Sequence, residues 1–256
     1  KKLQEGTTKA IPYEKAKLEL TEQMLVIPLF DMHFGIADLE YYKETMMKID
    51  AQITSKRWSK IVFIIGQDAF HNDNFKGTTT SGTIIDKVDT AQAWEDAFTF
   101  YKHLINLASA HSDDVQCTFS SGNHDETVGW CFVKTLEVYF RDFKNISFDS
   151  TMAPRKAITW KNVFIGTAHT DKGSNRIIQG FMAEFGKQIA QANIVEILGG
   201  HVHHEKSLDS YGVVVRNLAT RAKTDGYHND NFWIGANKRF QTFVYSENSL
   251  DMINYV

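Results

Sequence analysis

Cysteine is almost absent from this chain: Cys117 and Cys131 are the only two in 256 residues. They are far from any Cys-x-x-Cys spacing, which argues against a disulfide framework or a thiolate zinc site and fits a reducing compartment. Proline is scarce as well, with three residues. Only Pro28 falls in a stretch that reads as strand, where it argues for an interruption or a position near an edge. Long apolar runs are missing. The longest clean one, Met24 to Phe30, is too short to span a bilayer, and the charged, polar start shows no apolar signal-peptide core. Excess positive charge is missing too: 28 Lys and Arg stand against 31 Asp and Glu, a formal charge of −3. The surface as a whole therefore does not advertise nucleic-acid binding, although a local positive site remains open.

What is present is ordinary for a soluble globular protein: 43% apolar and 23% charged residues. The length suits one large domain or two small ones. The chain opens on Lys1, which suggests a piece of a longer protein. Residues 1–23 are polar and read as an arm or linker, with a short helix near Tyr13–Leu20, and 24–256 as the domain.

Apolar runs and helical periodicities alternate from there on. Met24–Phe30 reads as a strand and Asp38–Lys56 as a helix. Ile61–Ile65 is apolar throughout, as expected of a strand covered on both faces. Asp89–Ala110 reads as a helix capped near Asp89 or Thr90. Val115–Phe119 reads as a strand and Trp130–Phe143 as a helix. Short strands follow at Ile146–Phe148, Ala157–Trp160 and Val163–Gly166, then a helix over Ser174–Ala192 and a strand over Ile194–Leu198. The remainder alternates as antiparallel strands at Ser207–Leu208, Val213–Arg216, Gln241–Ser246 and Met252–Tyr255. Residues Tyr211–Val256 either pair with another subunit or close the second sheet. The alternation predicts a layered α/β architecture with polar clusters at strand ends.

Those clusters carry the chemistry. Asp31-Met32-His33 ends the first strand, and Gly66-Gln67-Asp68 ends the second. Gly122-Asn123-His124-Asp125 follows the third, His169 follows Val163–Gly166, and Gly200-His201-Val202-His203 follows Ile194–Leu198. In extended chain, residues i and i+2 point the same way, so Asp31 with His33, and His201 with His203, each aim two donors at one centre. Carboxylates, imidazoles and one amide without a thiolate suit manganese, iron, zinc or similar divalent ions. Two such ions outweigh the charge of Asp31, Asp68 and a bridging hydroxide, leaving a positive centre that attracts a phosphoester. With Asn123 on a metal, His124 is free to protonate the leaving oxygen, with Asp125 holding its ring.

This ordered set resembles the calcineurin-like metallophosphoesterase superfamily over about residues 24–204. Within it, Asp68-Ala69-Phe70-His71 is similar to the second motif of Mre11/SbcD-type DNA nucleases. The stretch from Phe70 to Asn74 is similar to phage-encoded phosphoesterases. The resemblance implies an α/β fold: a four-layer α/β/β/α sandwich of two mixed sheets flanked by helices. It implies Asp31, His33, Asp68 and His203 around one metal, and Asp68, Asn123, His169 and His201 around the other. The two divalent ions are expected to be Mn2+, with Fe, Zn or Mg as alternatives. His124 is the implied proton donor, and His71 supports a ligand or contacts substrate. One residue, Gln67, is inserted into the usual Gly-Asp pair, so a bulge or shifted turn is needed to bring Asp68 to its bridging place.

The expected function is metal-dependent phosphoric ester hydrolysis. A phosphodiester is favoured, with DNA among the candidate substrates because of His71. A phosphomonoesterase, a small-molecule or cyclic-nucleotide phosphodiesterase, and a non-catalytic scaffold are the alternatives. The expected setting is the cytoplasm of a bacterium or phage-infected host, away from membranes, with the oligomeric state open. Lys172, Arg176, Arg221 and Lys223 are either flanking phosphate contacts or solvated surface. Lys76–Thr83 is either a lid or a plain loop. His103, His111 and His204 read as bystanders and His228 as a loop residue.

Overall fold

The computed structural model describes residues 10–224, 235 and 237–256. His228 lies outside them. In chain order the elements are β1 (Leu20–Leu29), α1 (Lys43–Thr54), β2 (Arg57–Gly66), α2 (Thr90–His111), β3 (Val115–Ser120) and α3 (Glu126–Tyr139). They continue with β4 (Ile146–Asp149), β5 (Lys156–Trp160), β6 (Val163–Thr167), a 3-10 turn (Ser174–Arg176), α4 (Ile177–Ala190) and β7 (Ile194–Gly199). The chain closes with β8 (Lys206–Ser210), β9 (Val213–Asn217), β10 (Gln241–Ser246) and β11 (Ser249–Tyr255).

Among the described residues, eleven strands form two mixed sheets. The six-stranded sheet runs β11-β10-β1-β2-β3-β4 and the five-stranded sheet β5-β6-β7-β9-β8. In the first, β1 through β4 are parallel, and β10 and β11 add antiparallel strands at one side. In the second, β6, β7 and β9 are parallel, between the antiparallel edges β5 and β8.

Period-2 alternation sorts the apolar side chains into three cores. Leu25, Ile27, Ile61, Phe63, Val115 and Cys117 face α1, α2 and α3, meeting Ile49, Phe100, Leu104 and Phe132. Their neighbours Met24, Val26, Val62 and Ile64 face the other way, onto Val163, Ile165 and Leu198 of the second sheet. Phe164, Val195 and Ile197 point outward beneath Phe181 and Ile189 of α4. Helices, sheet, sheet, helix: this is the four-layer α/β/β/α sandwich expected. Each fully buried Leu, Ile or Phe contributes about 1.5–3 kcal/mol, so the three cores dominate the stabilisation.

Several expectations are corrected. No helix forms near Tyr13–Leu20. Residues 12–17 run without regular structure along α2, tied by Tyr13 N–H to Asn106 Oδ1 and by Asn106 Nδ2 to the Ile11 carbonyl, and β1 starts at Leu20. Pro28 lies on an inner strand, not an edge, and marks the interruption it suggested: it pairs with Ile64 of β2, while the β10 pairing stops at Val26. The C-terminal strands β10 and β11 return to the first sheet and do not close the second. Both cysteines are free, Cys117 buried and Cys131 exposed.

Candidate metal centre

All five polar clusters lie at the carboxyl ends of parallel strands, where open α/β sheets gather their sites. The exits of β1 and β2 stay joined past the strands: Asp31 N–H donates to the Gln67 carbonyl at 2.7 Å, and His33 N–H to the Asp68 carbonyl at 3.0 Å. The backbone there is not extended. Asp31, His33, Gln67, Asp68, Thr170, His201 and His203 all have φ between 48 and 75°. This left-handed conformation costs a non-glycine residue about 1–2 kcal/mol, and such strain clusters at functional sites. The side chains thus converge through successive tight turns, which corrects the extended i, i+2 geometry expected from sequence.

Two glycines make the close approach possible. A Cβ on Gly122 would lie 1.9 Å from Asp68 Oδ1, and one on Gly200 would lie 2.5 Å from Asp31 Oδ2. Gly66, at φ 120°, opens the β2 turn.

Five of the seven expected ligands fall into two sets that share Asp31, and Asn123 and His201 lie against His169 of the second. In the first, Asp31, His33 and His203 have ligand atoms mutually within 4.8 Å. His33 Nε2 faces His203 Nε2 at 3.2 Å, and His203 Nε2 lies 3.4 Å from Asp31 Oδ1. In the second, Asp31, Asp68 and His169 meet within the same 4.8 Å. His169 Nε2 reaches both Asp68 Oδ2, at 3.0 Å, and Asn123 Oδ1, at 2.7 Å. The His201 ring packs edge-on against His169 with centroids 4.9 Å apart. The pair His201 and His203 therefore divides between the sets. A third set, His33, His71 and His124, adjoins the first.

The electrostatics fit a cation. Asp31, Asp68 and Asp125 are fully buried, a costly arrangement for carboxylates without positive partners. Burial works to raise the Asp68 carboxyl, but the charge and hydrogen bond of His169, with His124 and His33, hold it well below the usual range. Burial works to lower His169, yet Asp68 and Asp31 push it up to about 9. His169 Nε2 lies between the Asp68 and Asn123 oxygens, an oxygen-and-imidazole arrangement that fits a metal ion. Burial and the neighbouring His124 and His203 hold His33 well below its ordinary value, leaving a neutral imidazole suited to ligation. Burial, with His169, lowers His201 as well. This oxygen and imidazole set suits a divalent metal ion.

His124 and Asp125 part company. Asp125 does not hold the His124 ring. It begins α3 with its side chain turned inward, where Oδ2 accepts the Phe70 N–H at 3.0 Å. Burial and Asp68 push its carboxyl well above the usual range. The His124 ring is instead held by the His71 carbonyl, 2.9 Å from Nδ1. The His71 ring lies against both His33 and His124, with centroids 5.5 and 5.4 Å away.

The flanking residues are more occupied than expected. Arg221 donates to Glu44, and Lys223 lies over the Tyr41 ring. The loop Lys76–Thr83 is tied to the centre: Thr80 N–H donates to the Asn123 carbonyl at 3.1 Å, and Thr80 Oγ1 accepts from Glu126 N–H. His103 pairs with Asp50, His111 with the Lys56 carbonyl and His204 with the Val202 carbonyl. Sequence reasoning noted Gln67 only as an insertion and missed its side chain, along with Thr220, which donates to the Asp31 carbonyl. A polar residue inserted between a strand's terminal glycine and a candidate ligand was the available signal. No helix among the described residues is long and apolar enough to cross a membrane.

The chain matches no known protein-family description and no curated protein. Solved structures do resemble it. A phosphodiesterase from an archaeon covers 91% of this chain and 99% of its own, at 8% identity and a TM-score of 0.46. A single mutant of Vps29 from Entamoeba histolytica covers 91% and 98%, at 12% identity and a TM-score of 0.44. A predicted phosphoesterase from Streptococcus pneumoniae covers 91% and 89%, at 10% identity and a TM-score of 0.41. No residue role follows from likeness at this level.

Proposed function

We propose that this protein is a dinuclear metal-dependent phosphodiesterase of calcineurin-like type, with nucleic acid the favoured substrate. The observation that carries the reading is the convergence of Asp31, His33, Asp68, His169 and His203, from four strand ends in two sheets, into overlapping cation-sized clusters. Asp31, His33, Asp68 and His203 hold one ion, and Asp68, Asn123, His169 and His201 the other, with Mn2+ the favoured metal. When bound, the pair supplies a hydroxide at neutral pH and draws charge from the phosphoryl oxygens.

The chain's own residues do the rest. A carbonyl only accepts, so Nδ1 of His124 donates to the His71 carbonyl, and Nε2 is the atom that would hand a proton to the leaving oxygen when the ring carries a second proton there, as the imidazolium. Asp68 Oδ1 accepts the His124 backbone N–H at 2.7 Å, tying the proton donor to the shared carboxylate. The His71 ring is buried beside His33 and His124, which supports the reading that it holds a ligand in place. Its presence motivates the nucleic-acid preference.

Purified protein with Mn2+ is expected to cleave a bis-aryl phosphodiester faster than the matching monoester, and to cut DNA. Faster monoester cleavage would make it a phosphomonoesterase. Two bound ions with no turnover of any ester would make it a scaffold.

A further inference from the structure

Gln67 is the residue inserted between Gly66 and Asp68, and its side chain is fully buried between the two sheets. Nε2 donates to Thr167 Oγ1 at 2.6 Å and Ser120 Oγ at 3.0 Å, while Oε1 accepts the Gly200 N–H at 2.7 Å. One amide therefore joins three strand ends: Ser120 closes β3, Thr167 closes β6 and Gly200 follows β7. Each partner leads into a ligand of the same proposed ion. Ser120 precedes Asn123 on one turn, Thr167 precedes His169, and Gly200 adjoins His201. Gln67 itself adjoins Asp68. The set Asp68, Asn123, His169 and His201 is thus anchored, arm by arm, to one side chain.

The other set is held differently. Asp31 is fixed by its N–H to the Gln67 backbone carbonyl, by its own carbonyl, which accepts from Thr220 Oγ1, and by its carboxylate, which accepts the His201 N–H at 2.9 Å. None of these contacts uses the Gln67 side chain itself. The Gly200 peptide is gripped at its other end, where its carbonyl accepts from Thr170 Oγ1 at 2.9 Å. The approach at Gly200 is tight as well: a Cβ there would meet Gln67 Oε1 at 3.1 Å.

We infer that Gln67 is a positioning residue for the Asp68–Asn123–His169–His201 ion, setting the separation of its four arms across the seam between the sheets. This rests on the metal-dependent reading above. Partners of this kind, which hold ligands without touching the metal, typically contribute 10–100-fold in affinity. The inserted residue then has a physical role: the extra position in the β2 turn carries a side chain long enough to span both sheets.

The test is metal binding, read by calorimetry and by the visible absorption of Co2+, with no turnover required. Wild type is expected to take two ions. The near-isosteric Gln67→Met fills the same space without hydrogen bonds, and should bind one ion normally and the other about 10–100-fold more weakly. Gln67→Glu keeps the acceptor for Gly200 and lets both hydroxyls donate, so its Co2+ spectrum should follow wild type. If Gln67→Met gives no cooperative melt, Ser120→Ala with Thr167→Val removes the two hydroxyls instead and should weaken the same ion selectively. Two ions bound unchanged, both weakened alike, or Gln67→Glu behaving as Gln67→Met would each overturn the inference. A wild type that binds no ion would overturn the metal reading itself, and the inference with it.

Discussion

His124 Nδ1 donates to the backbone carbonyl of His71 at 2.9 Å, so the loop after β2 sets the tautomer of a residue that follows β3. The Nε2 atom faces away from that bond and can give up a proton from the imidazolium form. Replacing His124 with Ala should lower kcat about 10²–10⁴-fold for a phosphodiester with a poor, alkoxide-like leaving group. The loss should be far smaller with a nitrophenolate, which departs without a proton. Metal stoichiometry should stay at the wild-type value. Equal losses for both leaving groups would remove His124 from the proton-transfer step.

Metal ions should stabilise the fold measurably. An ion at 100 times its Kd adds about 2.7 kcal/mol per site. For a chain of this size that is a rise in Tm of about 5–10 °C. Chelation should reverse it. Asp68→Asn should lose most of the shift, because Asp68 Oδ2 faces His169 while its Oδ1 holds the His124 turn. Differential scanning fluorimetry with and without Mn2+ measures both effects, and an unchanged shift in Asp68→Asn would contradict a shared carboxylate.

The strand ends were legible because short-range pattern carries them. Ile61 to Ile65 can only be a strand buried on both faces, and the polar residues that follow have to emerge at its end. The start of α3 was not legible. The helix begins at Glu126, where a motif resembling a polar turn gave no sign of it. Its first amides are capped from afar, with Asp73 Oδ1 accepting from both Thr127 N–H and Val128 N–H at 2.8 Å. The same distance effect hid the early start of β1, whose exposed Leu20 and half-buried Thr21 are extended by pairing with Arg57 and Trp58. At the centre, residue types were readable but directions were not. Asp125 turns away from its neighbour because the helix starts there, and Gln67 gains its role only from Ser120, Thr167 and Gly200.

Far from the centre, His103 and Asp50 form a pH-dependent pair, with Nε2 and Oδ2 2.9 Å apart. The hydrogen bond to Asp50 raises the imidazole above its ordinary value despite partial burial. Its contribution is therefore complete below the unfolded value of about 6.5 and disappears as pH climbs through the higher folded value. Solvent reaches both side chains, so the effect should be a few tenths of a kcal/mol. Urea unfolding of wild type and Asp50→Asn should show a larger stability gap at about pH 5.5 than at about pH 8.5, bracketing that value. A gap that widens with pH would reverse the sign.

Gly122 gives the sharpest steric prediction. An added Cβ would lie 1.9 Å from Asp68 Oδ1, 2.3 Å from Asp68 N and 2.7 Å from Asp68 Cγ. Asp68 N is backbone, Asp68 Oδ1 is a side-chain end but is tied to the His124 N–H, and Asp68 is held in a left-handed turn at φ 65°. Relief requires the β2 and β3 exits to separate, which breaks the His124 N–H contact to Asp68 and moves the carboxylate from His169. Overpacking of an ordinary core costs about 1–3 kcal/mol, and a clash with backbone should reach or exceed the top of that range. Gly122→Ala should therefore lose both stability and metal binding. Gly180 is the matched control: it lies inside α4 with nothing within 4 Å of an added Cβ. Gly180→Ala should stabilise by about 0.5–1 kcal/mol through helix propensity alone, with metal binding intact. Equal behaviour of the two variants in thermal melts and metal titrations would mean that the contact between Gly122 and Asp68 does not hold the centre together.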